Sequence, residues 1–304
     1  MTQAVANLAA VQRALLKWHA KHGLRAPWRE TRDPYECLVA AVMAQQTQMS
    51  RVMPSYERFV AAFPTVEALA GASTGEVIRV WAGMGYNLRA VRLHRAARQI
   101  ATSGWPRRRA DLAAIDGIGP FTAAIIASFA FGEAAGCVDT NVRRVLGRLS
   151  GGEAIDGKPL QTLADAMVAR KDPARWNQAL MDYGARVCGV RPKCGECVVA
   201  QWCASRERYA GTSRQVAEPR PVYRAGVVRK HEAPYERSTR YYRGRIIDVL
   251  RALPPGDSIN VARLPALIAG GAAAPTIADT QALVAALERH GLLTVSRRRV
   301  SLPG

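Results

Sequence analysis

Four cysteines within about sixteen residues constrain this chain more than any other feature: Cys188-x5-Cys194-x2-Cys197-x5-Cys203. Thiols so close in sequence can wrap one tetrahedral centre, and four thiolates suit zinc or a [4Fe–4S] cluster equally well by charge. The first 23 residues lack the basic, apolar and cleavage regions of a signal peptide and read as an amphipathic helix. The expected location is therefore cytoplasmic (nucleoid-associated). Disulfides are rare there, and clustered cysteines more often hold metal. Cys37 and Cys137 lie far from the cluster in apolar surroundings and read as core residues.

Around the cluster the pattern is helical. Apolar positions recur at helical spacing over 8–20, 36–48, 52–62, 88–103, 121–131, 140–149 and 160–170, with Gly or Pro in the gaps. Residues 1–205 are therefore expected to form an all-α domain that includes the cysteine loop at 188–203. Residues 206–238 are polar and basic and read as a linker, partly extended. Residues 239–304 offer three helical segments and then a short hairpin with Arg297, Arg298 and Arg299 at its turn, which suggests a winged-helix-like domain. No segment reaches the ~20 apolar residues of a membrane span, so no membrane partner is expected.

The formal net charge of +19 over 304 residues implies a polyanionic partner, and the basic residues are spread along the chain as on a charged folded surface. Three further motifs bear on that partner. Ile115-Asp116-Gly117-Ile118-Gly119-Pro120-Phe121-Thr122 places two glycines in a hairpin between helices. There backbone N–H groups can approach a phosphate at the next helix N-terminus. Asp139, before Thr140-Asn141-Val142, is a helix N-cap by its bland reading. By its functional reading it is a carboxylate that stabilises a cationic sugar. Gln45-Gln46-Thr47-Gln48 and Gly83-Met84-Gly85-Tyr86 offer amides and a ring that could fill the gap left by a flipped base.

Taken in order, these motifs resemble the helix-hairpin-helix superfamily of DNA glycosylases, in its adenine-glycosylase branch, with endonuclease III a more distant relative. The resemblance runs from about Leu15 to Cys203 and includes Ala26-Pro27-Trp28-Arg29, Asp33-Pro34-Tyr35, Phe63-Pro64-Thr65 and Val138–Val145. It implies base-excision repair of double-stranded DNA carrying a damaged or mispaired base, by a chain expected to act as a monomer. It further implies that Cys188, Cys194, Cys197 and Cys203 hold a [4Fe–4S] cluster of structural role, with redox signalling also open. Asp139 would be the catalytic carboxylate. Gln46 and Tyr86 would wedge into the stack, and Gln45, Gly117, Gly119, Phe121, Thr122, Asn141, Arg191 and Lys193 would contact DNA.

The chain departs from that family in four places. Where adenine glycosylases carry a glutamate that protonates the base, this chain has Ala41. Where the lyase branch carries a lysine, it has Phe121, so lyase activity is expected to be weak at most. The first cysteine gap is five residues, where the family usually has six. The C-terminal region does not resemble the Nudix-like domain with which many adenine glycosylases read 8-oxoguanine. Ala41 leaves three readings open: an adenine glycosylase inactivated at that position, a monofunctional glycosylase for T, U or alkylated purines that uses Asp139 alone, or a non-catalytic DNA-binding homologue.

Overall fold

The computed structural model describes residues 7–152, 155–209, 235, 238–269 and 274–304. The described residues are mostly helical, with one small sheet near the C-terminus. They pack as two compact units. The first takes in residues 1–38, 106–114 and 119–225, and the second takes in 39–105, 115–118 and 226–304. Most of the stretch expected to be a linker lies outside the described residues. At its start, however, Arg206–Tyr209 is helical, and Tyr209 is buried with the Arg148 guanidinium 4.4 Å from its ring centroid.

In the first unit, α1 (Leu8–His22), α9 (Thr140–Leu149), α10 (Gly157–Ala166) and α11 (Pro173–Arg186) surround one apolar core, and α8 (Pro120–Phe129) packs on α11. Leu15, Val142, Leu146, Trp176, Leu180 and Tyr183 are the centre of that core. Helix α8 is apolar on every side, as expected of a buried helix, and starts with Pro120 at a position where the missing N–H costs nothing. Gly184 lets α9 and α11 touch, since a Cβ there would lie 2.7 Å from that of Asn141. The Asp182 carboxylate ties α11 to the first residues of the chain. It accepts from Arg29 (2.7 and 2.9 Å) and from the Leu24 N–H (2.7 Å). Burial alone would raise this carboxyl, but the bonds from His19 and Arg29 outweigh burial and hold it well below the ordinary range.

The second unit begins within α2 (Pro34–Ala44). It continues through α3 (Met49–Ala62), α4 (Val66–Gly71), α5 (Thr74–Val80) and α6 (Leu88–Ser103). Helix α5 opens with a capping box: the Ser73 hydroxyl accepts from the Glu76 N–H, and the Glu76 carboxylate accepts from the Ser73 N–H. The C-terminal module belongs to this unit. It comprises α13 (Thr239–Ala252), β1 (Ile259–Asn260), α14 (Leu264–Ile268), α15 (Ile277–Arg289), β2 (Thr294–Ser296) and β3 (Arg299–Ser301). The strands form an antiparallel sheet in the order β1-β3-β2, with Val300 opposite both Ile259 and Val295. Three helices and a hairpin agree with the winged-helix-like expectation, and β1 adds a third strand too short to show as an alternation. The module shares its core with Ile78 and Val91, and Arg251 donates to the Ile78 carbonyl (2.9 Å) and the Asn87 side chain (2.7 Å).

Candidate functional site

Helix α2 was expected to run to residue 48 but stops at Ala44. Its last carbonyls are taken by Arg89, a buried residue of α6. Arg89 Nη1 donates to the carbonyls of Val42 (3.0 Å), Met43 (2.9 Å) and Gln45 (2.6 Å). Its Nη2 donates to Met84 (3.1 Å) and Gly85 (3.4 Å). One guanidinium thus satisfies a helix C-terminus and joins the glutamine turn to the Gly83–Tyr86 turn. Both turns are strained. Gln46 (φ 53°) and Tyr86 (φ 45°) lie in the left-handed region that side chains with a Cβ avoid. Gln46 is exposed and Tyr86 is 44% exposed, so both residues suggested as wedges are held out to solvent. Gln45 is half-buried and Ala41 is buried. Glu36 is the one carboxylate on α2, and five helical residues place it about 140° round the axis from position 41, so it does not substitute for an acid there.

In the hairpin, Gly117 (φ 91°) is required: a Cβ would meet the Arg92 carbonyl oxygen at 2.7 Å. Gly119 is exposed and caps α8, leaving the first N–H groups of that helix without a side-chain acceptor from the cap. Phe121 is half-buried. Thr122 is buried, so any phosphate contact at this position falls to its backbone.

Asp139 is the N-cap of α9. Its Oδ1 accepts from the Val142 N–H (2.7 Å) and its Oδ2 from Asn141 Nδ2 (3.1 Å). Burial pushes its carboxyl above the ordinary aspartate value, although the Val142 and Asn141 donors and the charge of Arg144 pull the other way. Asn141, expected to touch DNA, uses both ends of its amide in bonds within the protein. Its Oδ1 accepts from Arg144 Nη2 (2.8 Å), and Arg144 also donates to the carbonyls of Gly184 and Cys188 (2.6 Å each). A chain of hydrogen bonds therefore runs from the cysteine loop through Arg144 and Asn141 to Asp139. Neither Arg89 nor Arg144 was singled out in the sequence.

The four clustered cysteines line one cavity with Arg148, Arg206 and Tyr209. Arg148 Nη1 donates to Cys188 Sγ (3.5 Å), and the Tyr183 hydroxyl donates to Cys197 Sγ (3.1 Å). Among the described residues no three ligand-type side chains gather as a single-ion site. Burial raises the Cys188 and Cys194 thiols and carries Cys203 up to about 11. Arg191 and Lys193 in the loop are exposed. Cys37 and Cys137 are buried, as expected.

Residues 39–169 match the model of the HhH-GPD superfamily of base excision DNA repair proteins. The chain is 37% identical to the adenine DNA glycosylase of Mycobacterium tuberculosis over 248 residues, 78% of this chain and 77% of that one. It is likewise 37% identical to that of Mycolicibacterium smegmatis over 249 residues, 78% of this chain and 79% of that one. Among solved structures, a thermostable thymine-DNA glycosylase superposes with a TM-score of 0.62 at 28% identity, covering 66% of this chain and 97% of its own.

Proposed function

The chain belongs to the HhH-GPD superfamily of base excision DNA repair proteins, in its adenine DNA glycosylase family, and from that premise we propose that it flips a mispaired adenine, opposite 8-oxoguanine or G, out of duplex DNA and cuts its N-glycosidic bond with Asp139. It is a DNA N-glycosylase. The observation that carries the assignment of Asp139 is its setting: a carboxylate with both oxygens fixed by donors yet largely withdrawn from water.

As the bond between the sugar C1′ and the base nitrogen breaks, its electron pair leaves with the base and positive charge builds on the sugar. Asp139, ionised and oriented by Val142 and Asn141, opposes that charge. Water then adds to C1′, and the proton it gives up neutralises the departed base anion. Gln46 and Tyr86, held outward by Arg89, fill the vacated stack. The exposed Gly119 end of α8 and the exposed Arg191 and Lys193 hold backbone phosphates.

Position 41 sets the rate. Adenine leaves poorly unless it is protonated, and general acid catalysis is worth ~10²–10⁴ in such a step. Alanine donates nothing, so adenine release here depends on Asp139. That favours a second reading, release of mismatched thymine or uracil, which depart as delocalised anions, and the likeness to a thymine-DNA glycosylase points the same way. Ala41→Glu separates the two. Under single turnover the variant should excise adenine opposite 8-oxoguanine ~10²–10⁴-fold faster than the parent. A Glu variant that ignores adenine, beside a parent that removes thymine or uracil, would overturn the adenine assignment.

Cys188, Cys194, Cys197 and Cys203 fit a [4Fe–4S] cluster. They face one cavity, two of the sulfurs already receive hydrogen bonds, and Arg148 and Arg206 supply positive charge beside it. Bound there, the cluster would staple the loop that carries Arg191 and Lys193 and anchors Arg144. The enzyme is proposed to act as a monomer.

A further inference from the structure

In the second unit a groove of about 730 Å³ opens beside the strained turns. Gln46, Arg51, Tyr86 and Arg92 line it together with Arg240 and Arg243 of α13 in the C-terminal module. Counting Arg89, five arginines line this groove, and among the described residues no acidic side chain does. The Arg240 guanidinium lies 4.4 Å from the centroid of the Tyr86 ring, and Arg89 lies 5.5 Å from it. Arg243 is steadied by His290, with Nη2 at 2.9 Å from Nδ1.

The charge within the module is uneven. Helix α13 carries Arg240, Arg243, Arg245 and Arg251 against the single Asp248, whereas α15 carries Asp279 and Glu288 against Arg289. An anionic partner is therefore met by the first helix of the module and not by its third. A guanidinium stacked on an aromatic ring keeps its in-plane N–H edge free for a phosphate.

Resting on the glycosylase reading, we infer that the C-terminal module forms a wall of the DNA groove at the intercalation point, with Arg240 and Arg243 holding backbone phosphates beside Tyr86. The module then holds the backbone where the duplex is opened. Because phosphate contacts carry no base information, these two arginines tighten binding to lesion and matched duplexes alike.

The test measures affinity for a duplex with adenine opposite 8-oxoguanine and for its matched A·T counterpart, across a salt series. The proteins are the full-length parent, Arg240→Ala/Arg243→Ala, Arg240→Lys/Arg243→Lys, and Arg289→Ala on α15. Each phosphate contact contributes ~0.9 to the slope of log K against log salt. The double alanine variant should lose about 2 from that slope and bind both duplexes on the order of 50-fold more weakly at ~0.1 M salt. The lysine variant should keep most of the slope, and Arg289→Ala should match the parent. Equal thermal midpoints would show the module still folded. Parent-like affinity and slope in the double alanine variant would overturn the inference and leave the glycosylase reading intact. So would an equal loss in the lysine variant, because charge would then not be what binds. A parent that fails to bind duplex DNA at any salt would sink both.

Discussion

Asp139 has a structural duty as the cap of α9 and, in the proposed function, a chemical one, and two substitutions separate them. Asparagine caps a helix about as well as aspartate, whereas alanine costs ~0.5–2 kcal/mol. Asp139→Asn should therefore fold with a thermal midpoint no lower than the parent's near neutral pH and yet excise no base. Because burial raises the native carboxyl, the native state binds more protons than the unfolded chain just above the ordinary aspartate range. Stability from this group therefore falls as pH rises through that window, and asparagine escapes the loss. Asp139→Ala should lose activity and also melt a few degrees lower. In the parent, the acid limb of the single-turnover rate should lie above the ordinary aspartate range, since only the ionised form opposes sugar charge. Parent-like excision by Asp139→Asn would leave the residue a cap and nothing more. The Asp139 cap was legible because an acid before a helix start is a recognisable pattern. Arg89 was not. It repeats at every third residue with Arg92, Arg95 and Arg98, which reads as a solvent-facing stripe, and only the fold turns the first of the four inward.

At the scale of elements, the cysteine loop was legible to the residue and its metal was not, because four thiolates suit zinc and iron alike. Metal analysis of the purified protein should return about four irons per chain, with a yellow-brown colour. Cys197→Ser should lose the metal and destabilise the loop, and with it the Arg144 bridge towards Asp139. One zinc and no iron would contradict the cluster. The long helices followed from apolar spacing, but α4, α5 and α7 (Arg109–Leu112) are too short for a period to register. The early end of α2 was hidden for another reason: the residue that terminates it is 45 positions away from Ala44 in sequence, and no local rule connects them.

For the molecule as a whole, the net charge of +19 announced a polyanion, and the ordered motifs narrowed it to duplex DNA. The helices and hairpin of the C-terminal module were visible as patterns, whereas its packing against α5 and α6 depends on tertiary contacts such as Arg79 donating to the Leu253 carbonyl (2.7 Å). With no acid at position 41, the chain is proposed still to release a base through Asp139. The most direct measurement is base release under single turnover from duplexes carrying adenine opposite 8-oxoguanine, A·G, T·G, U·G and an alkylated purine, with the parent and Asp139→Asn compared at equal occupancy. The parent should release the base from at least one duplex, and Asp139→Asn from none although it binds as tightly. Tight binding by the parent with no base released from any duplex, and none gained in Ala41→Glu, would contradict the proposal and leave a DNA-binding scaffold without chemistry.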